Sequence, residues 1–344
     1  TGTPETAAFN PFYARFASSP GSSTILGDAI STEPTFFTLW IGSNDVLGYA
    51  LSGATNDDIF TSTEDFETRF GGVVNTLLGN TEAKGMIATI PPVLTVPFFR
   101  AVPHNPVPLD EQQADQLNQG YADYNNGLEQ ARQGGFIDQD EKDRRTINFS
   151  AGANRFVMVD NDLTDLSGMG IPNWRQSEPT DLVLLSAAQE FSTGVGTQSA
   201  APASLVLTPE NQQEIQQRSN QFNQIIASVA AQNSERIALF DVNSGLPGNP
   251  NTSIGVFADL LGLDGEVGIR VNGTLLAPDF SPNGVYSTDG IHPNARGNAI
   301  LANEFIRVIE NKFDAVIPRV DVLRLPGVTV CADEGDCVSQ QGGS

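Results

Sequence analysis

The sequence predicts an α/β protein built around a parallel sheet, and three observations carry that prediction. Two apolar runs, TFFTLWIG (35–42) and GMIATIPP (85–92), end at Gly or Pro and read as buried strands. Between them, STEDFETRFGGVVNTLLGN sets Phe66, Phe70, Val73, Val74, Leu77 and Leu78 at helical spacing, with Ser62 or Thr63 as the cap. A third run, RIALFDV (236–242), follows a long amphipathic helix. Strand, helix, strand in this rhythm implies parallel pairing, because parallel neighbours need a crossover that is usually helical.

The helix before the third run begins at LTPENQQEIQQ, with Thr208 as N-cap and Pro209 at the first helical position. Ile215, Phe222, Ile225, Ile226 and Val229 form its apolar face. GIRVNGTLL predicts a hairpin turning at Asn272-Gly273, and a last helix is expected over 294–312. From about Val96 to Pro209 the rhythm breaks. A Pro-rich segment, VPFFRAVPHNPVPL, leads to a polar helix near 110–133, then to short strands around TINF, RFVMVD and LVLLSA. That is too long for a loop, so it reads as an inserted cap or subdomain. The expected division is 1–96 and 210–325 for the two parts of the α/β unit, 97–209 for the insertion and 326–344 for a tail.

Composition excludes some functions. The 344 residues carry 41 acids against 18 bases, a net charge of −23, and only three lysines. Such a surface repels nucleic acid and anionic membranes. It fits a saline habitat and an ordinary secreted bacterial protein about equally. Cys331 and Cys337 could close a small disulfide loop in an oxidising compartment or stand as two free thiols. Neither they nor His104, in its Pro-rich loop, has the neighbours of a metal site, and DQDEKD and ADEGD read as solvated surface.

The chemistry-bearing stretch is YSTDGIHPNARG (286–297), with Asp289 three residues before His292. In serine hydrolases an imidazole takes the nucleophile's proton while a carboxylate on its other nitrogen fixes the tautomer. The plainer reading makes Asp289 a helix cap and His292 a surface residue. A second stretch, GSND (42–45), lies just past a strand's carboxyl end, where Asn44 could direct its amide at a developing oxyanion. Its plainer reading is an Asn-Asp turn.

Together, G-x-N-D after a strand and D-G-x-H-P before the final helix resemble the SGNH, or GDSL, family of serine esterases and lipases. NPFYARFASSPGSSTILGDA, FFTLWIGSNDVLGYAL, KGMIATIPPV, FSAGANRFVMVDNDL, DLVLLSA and GVYSTDGIHPNARGNAILANEFI look like its long secreted or lipid-anchored members from Bacteroidetes-type bacteria. The resemblance implies a flavodoxin-like α/β/α sandwich. It makes Asn44 the oxyanion donor, His292 the general base and Asp289 its orienting acid, with Gly42 and Asp45 shaping the loop that presents Asn44. It also implies an extracytoplasmic protein acting on a small-molecule, glycan or lipid ester, with no metal or organic cofactor and no obligate protein partner.

The family's nucleophilic serine has no counterpart here. The nearest match, LGDAIS (26–31), has Ala29 where the serine should stand, and Asp28 falls only 16 residues before Asn44. Ser31 and Ser43 are not expected on a strand-to-helix elbow. The expectation is therefore that the first βα units, with the serine, lie upstream of Thr1, so that 35–42 forms an apolar sheet edge and the chain alone aggregates or lacks esterase activity. The alternative is a catalytically inactive relative, serving as a surface module that binds glycan or protein.

Overall fold

The computed structural model describes residues 10–244, 246, 255–262 and 266–329. Cys331 and Cys337 lie outside the described residues, as does everything beyond residue 329. Strands β1 (Phe36–Leu39), β2 (Lys84–Ala88) and β3 (Ile237–Phe240) form one parallel sheet in the order β1-β2-β3. Phe37 pairs with Gly85, and Gly85 with Ile237, so the register runs straight across. The protein is thus mixed α/β.

Four helices organise the sheet: α1 (Asn44–Leu51), α2 (Thr63–Asn80), α3 (Pro209–Gln232) and α4 (Ala295–Phe313). Ser62 caps α2 by accepting from the Asp65 amide at 3.1 Å, and Thr208 caps α3 in a reciprocal box with Asn211. The rings of Phe66 on α2 and Phe222 on α3 stack at 4.0 Å in the main core. Truncating Phe222, which is fully buried, would cost about 3–5 kcal/mol. From α4, Phe305 packs on Trp40 at 5.4 Å and on Phe240 at 5.0 Å, and Phe313 meets Phe36 edge-on at 5.7 Å.

Three expectations about secondary structure are corrected. The 35–42 run is a shorter strand whose Phe36, Phe37 and Leu39 are only half-buried, and among the described residues β1 pairs on one side alone. The 110–133 helix is two helices, Glu111–Gly120 and Ala122–Gln133, separated at Tyr121. TINF is not a strand. The Ile147 and Phe149 backbones bond instead to the side-chain amides of Asn125 and Asn118, each of which both accepts and donates, so they need no neighbouring strand.

The middle segment holds three two-stranded antiparallel pairs: Val107–Leu109 with Gly152–Asn154, Val157–Val159 with Trp174–Gln176, and Leu182–Val183 with Val206–Leu207. Two apolar clusters of its own support them. Glu141 of DQDEKD, read as solvated, instead accepts from the Thr164 amide at 2.9 Å and hydroxyl at 2.7 Å and pairs with Arg145. The hairpin turns at Asn272-Gly273, both with positive φ, joining Ile269–Val271 to Thr274–Leu276. Among the described residues no helix is long and apolar enough to cross a membrane.

Candidate active site

The 286–294 loop closes on itself before α4 begins. Ser287 N donates to the His292 carbonyl at 2.8 Å, and Tyr286 bridges to Pro293. The helix cap is Asn294, not Asp289: its Oδ1 accepts from the Arg296 and Gly297 amides at 2.9 and 3.1 Å. Its Nδ2 reaches the Gly284 and Tyr286 carbonyls at 2.8 and 3.1 Å, tying helix start to loop start. Arg296, buried in the first turn, donates to the carbonyls of Leu325 at 2.9 Å and Pro282 at 3.0 Å.

With the cap supplied elsewhere, Asp289 serves the histidine. Its Oδ2 lies 2.7 Å from His292 Nδ1. Its Oδ1 accepts from Ser287 Oγ at 2.8 Å and from the amides of Ile291 and His292 at 2.8 and 2.9 Å. Partial burial pushes the carboxyl's pKa up, but the hydrogen bonds from His292, the two amides and Ser287 outweigh it and hold the group well below the usual carboxylate range. A carboxylate here accepts only, so Nδ1 carries the proton and Nε2 is left as an acceptor. The imidazole is largely exposed, at 76%, so solutes can reach it.

The G-x-N-D segment is built by close packing. Gly42 has φ +111°, and a Cβ there would lie 2.8 Å from the Phe66 ring and 2.9 Å from Ile90, so only glycine fits. Ser43 then holds the N-cap position of α1 without a side-chain capping bond, Asn44 is the helix's first residue, and Asp45 accepts from Thr61 Oγ1 at 2.8 Å. Ser43 stands between strand and helix but not on an elbow. Its own backbone is helical (φ −57°, ψ −38°), unlike the strained elbow of a nucleophile. Ser31 ends the helix Ile25–Ser31 and donates to the Asp28 carbonyl. Asp28 itself accepts from Tyr13, Ser18 and Ser23, a structural clasp of the N-terminal segment.

Asp289 and His292 are in direct contact. Asn44 is exposed and bonds to neither, yet both loops attach to the chain leaving β2: Gly42 packs on Ile90, and Phe98 N donates to the Gly290 carbonyl at 2.9 Å. Because β1 and β2 are parallel, their following segments emerge at the same edge, where open α/β sheets hold their ligands. Sequence reasoning passed over Ser287, Gly290 and Asn294. The S-x-D spacing of Ser287 and Asp289 was a readable signal for the first, and the Asn placed just before the helix for the last. His104 contributes a backbone carbonyl to Ser177. Among the described residues no group of three or more His, Cys, Asp or Glu side chains forms a metal cluster.

No protein-family model, curated protein or solved structure matches this chain.

Proposed function

We propose that this chain belongs to a serine-type carboxylic ester hydrolase of the SGNH kind, with the flavodoxin-like sandwich that family implies. The observation that supports it is the Asp289–His292 pair: one carboxylate oxygen fixes Nδ1, the other is saturated by three donors, and Nε2 is left as base. In this reading a serine from outside residues 1–344 attacks the ester carbonyl, and that segment also pairs with the open side of β1. His292 takes the serine's proton and returns it to the leaving alcohol, and the same base then activates water to release the acid. Asn44 and two backbone amides stabilise the oxyanion. The substrate is a small-molecule, glycan or lipid ester, selected by the 97–209 segment, and the protein works outside the cytoplasm as a secreted, periplasmic or lipid-anchored enzyme.

The test is fluorophosphonate labelling of the full-length protein, followed by mapping of the labelled residue. A labelled serine upstream of Thr1, with labelling abolished in His292→Ala, supports the reading. No label and no hydrolysis of p-nitrophenyl acetate overturns it, and leaves an inactive module that binds glycan or protein.

A further inference from the structure

A cleft of ≈ 490 Å³ opens beyond the far end of α1 from Asn44, between the 49–60 segment, the 158–162 segment and the first turns of α3. Its size is that of a small-ligand site. Neither Asn44, Asp289 nor His292 lines it, so a ligand bound there is independent of the hydrolase reading.

The lining defines what fits. Asp57, Asp162 and Glu214 supply three carboxylates against the single guanidinium of Arg218. Tyr49 donates its hydroxyl to Glu214 Oε2 at 2.9 Å. Asp162 accepts from Thr208 Oγ1 at 2.9 Å with one oxygen. Aromatic surface is not on offer: the Phe60 ring is stacked on Tyr49 at 4.0 Å on one side and covered by Arg218 at 4.1 Å on the other. Arg218 is further held by the Thr61 carbonyl, so it serves as a wall more than as an anion hook. A flat aromatic ligand therefore has no ring to stack on, and an anion meets net repulsion.

We infer that this cleft binds a small organic cation carrying several N–H or O–H donors, received by Glu214, Asp57 and Asp162. Two chemical sources share that description, a polyamine and an amino sugar. The carboxylates come from separate segments of the chain, so their convergence on one concave surface is a property of the fold rather than of a local acidic run.

Isothermal titration of the purified protein with spermidine and with glucosamine tests it. One of the two should bind with unit stoichiometry, and Glu214→Gln or Asp57→Asn should weaken binding about tenfold, as loss of a charge-assisted hydrogen bond does. Asp140→Asn, at an exposed carboxylate outside the cleft, should leave the affinity unchanged, and N-acetylglucosamine should not bind. The inference is overturned if neither cation binds at one site. It is equally overturned if Asp140→Asn weakens binding as much as Glu214→Gln, since that means diffuse attraction to an acidic surface. Unchanged melting temperatures in the variants, all at exposed positions, keep loss of binding distinct from loss of fold.

Discussion

The Gly290 carbonyl accepts a hydrogen bond from Phe98 N at 2.9 Å, and the Phe98 carbonyl accepts from Leu185 N at 2.8 Å. One residue thus straps the Asp289–His292 loop to the chain leaving β2 and to the middle segment. The strap requires glycine, since Gly290 has φ +72° and a Cβ would lie 3.0 Å from Phe98 N.

Gly290→Ala should therefore lower stability by about 1–3 kcal/mol, the left-handed strain plus displacement of the strap. Gly135→Ala is the control: φ there is +76° but nothing lies within 4 Å of an added Cβ, so it reports the strain alone. Urea unfolding of the two variants should show the larger loss at Gly290. Equal losses would mean the Phe98 contact gives way freely.

Asp289 should make stability depend on acid. Its pKa is depressed in the folded state, so its contribution is fully present above the ordinary carboxylate value and lost as pH falls below it toward the folded value. The stability difference between the native protein and Asp289→Asn should shrink between about pH 5 and about pH 2. A difference that stays constant across that range would mean that the carboxylate's charge plays no part in holding the loop.

These loops also show what could be read from the sequence. Local signals held wherever a residue acts on its own segment: Ser62 and Thr208 cap their helices, and Asn272-Gly273 turns its hairpin. Asp289 and His292, three residues apart, meet for the same reason. Expectations failed where the partner is remote in sequence. Asn118 and Asn125 occupy the bonding groups of TINF from 31 and 22 residues away, and no periodicity announces that. β1 ends early, leaving residues 40–42 to make the turn into α1, so Ser43 meets the helix start without the elbow of a nucleophile. Whether Asn44 faces His292 is a matter of two loops brought to one sheet edge, which spacing alone does not encode.

Asn44→Ala separates chemistry from fold. The side chain is exposed, so stability should change by less than about 0.5 kcal/mol. If the proposed hydrolase reading holds, ester hydrolysis by the protein that carries the nucleophile should fall about 10²–10³-fold, chiefly in kcat, as for loss of an oxyanion donor. A change confined to KM would make Asn44 a ground-state contact instead.

The last prediction concerns the middle segment. Arg175 is fully buried, with Nε 2.5 Å from Asp160 Oδ2 and its two terminal nitrogens 2.7 and 2.8 Å from the oxygens of Asp181. Burial alone would depress the guanidinium's pKa, but the bonds to Asp181 and Asp160 reverse that and raise it. Asp181 Oδ2 also accepts from the Glu178 amide at 2.6 Å, so the triad closes the 178–181 turn while holding the strand Trp174–Gln176. Removing one member strands desolvated charge, and Asp181→Ala should cost about 3–5 kcal/mol by urea unfolding. Asp160 stands two residues before Asp162, a wall of the cleft, so the same variant should also weaken any ligand held there. A loss of stability below about 1 kcal/mol would show that water enters and solvates the abandoned guanidinium, and that the triad orients the segment without holding it together.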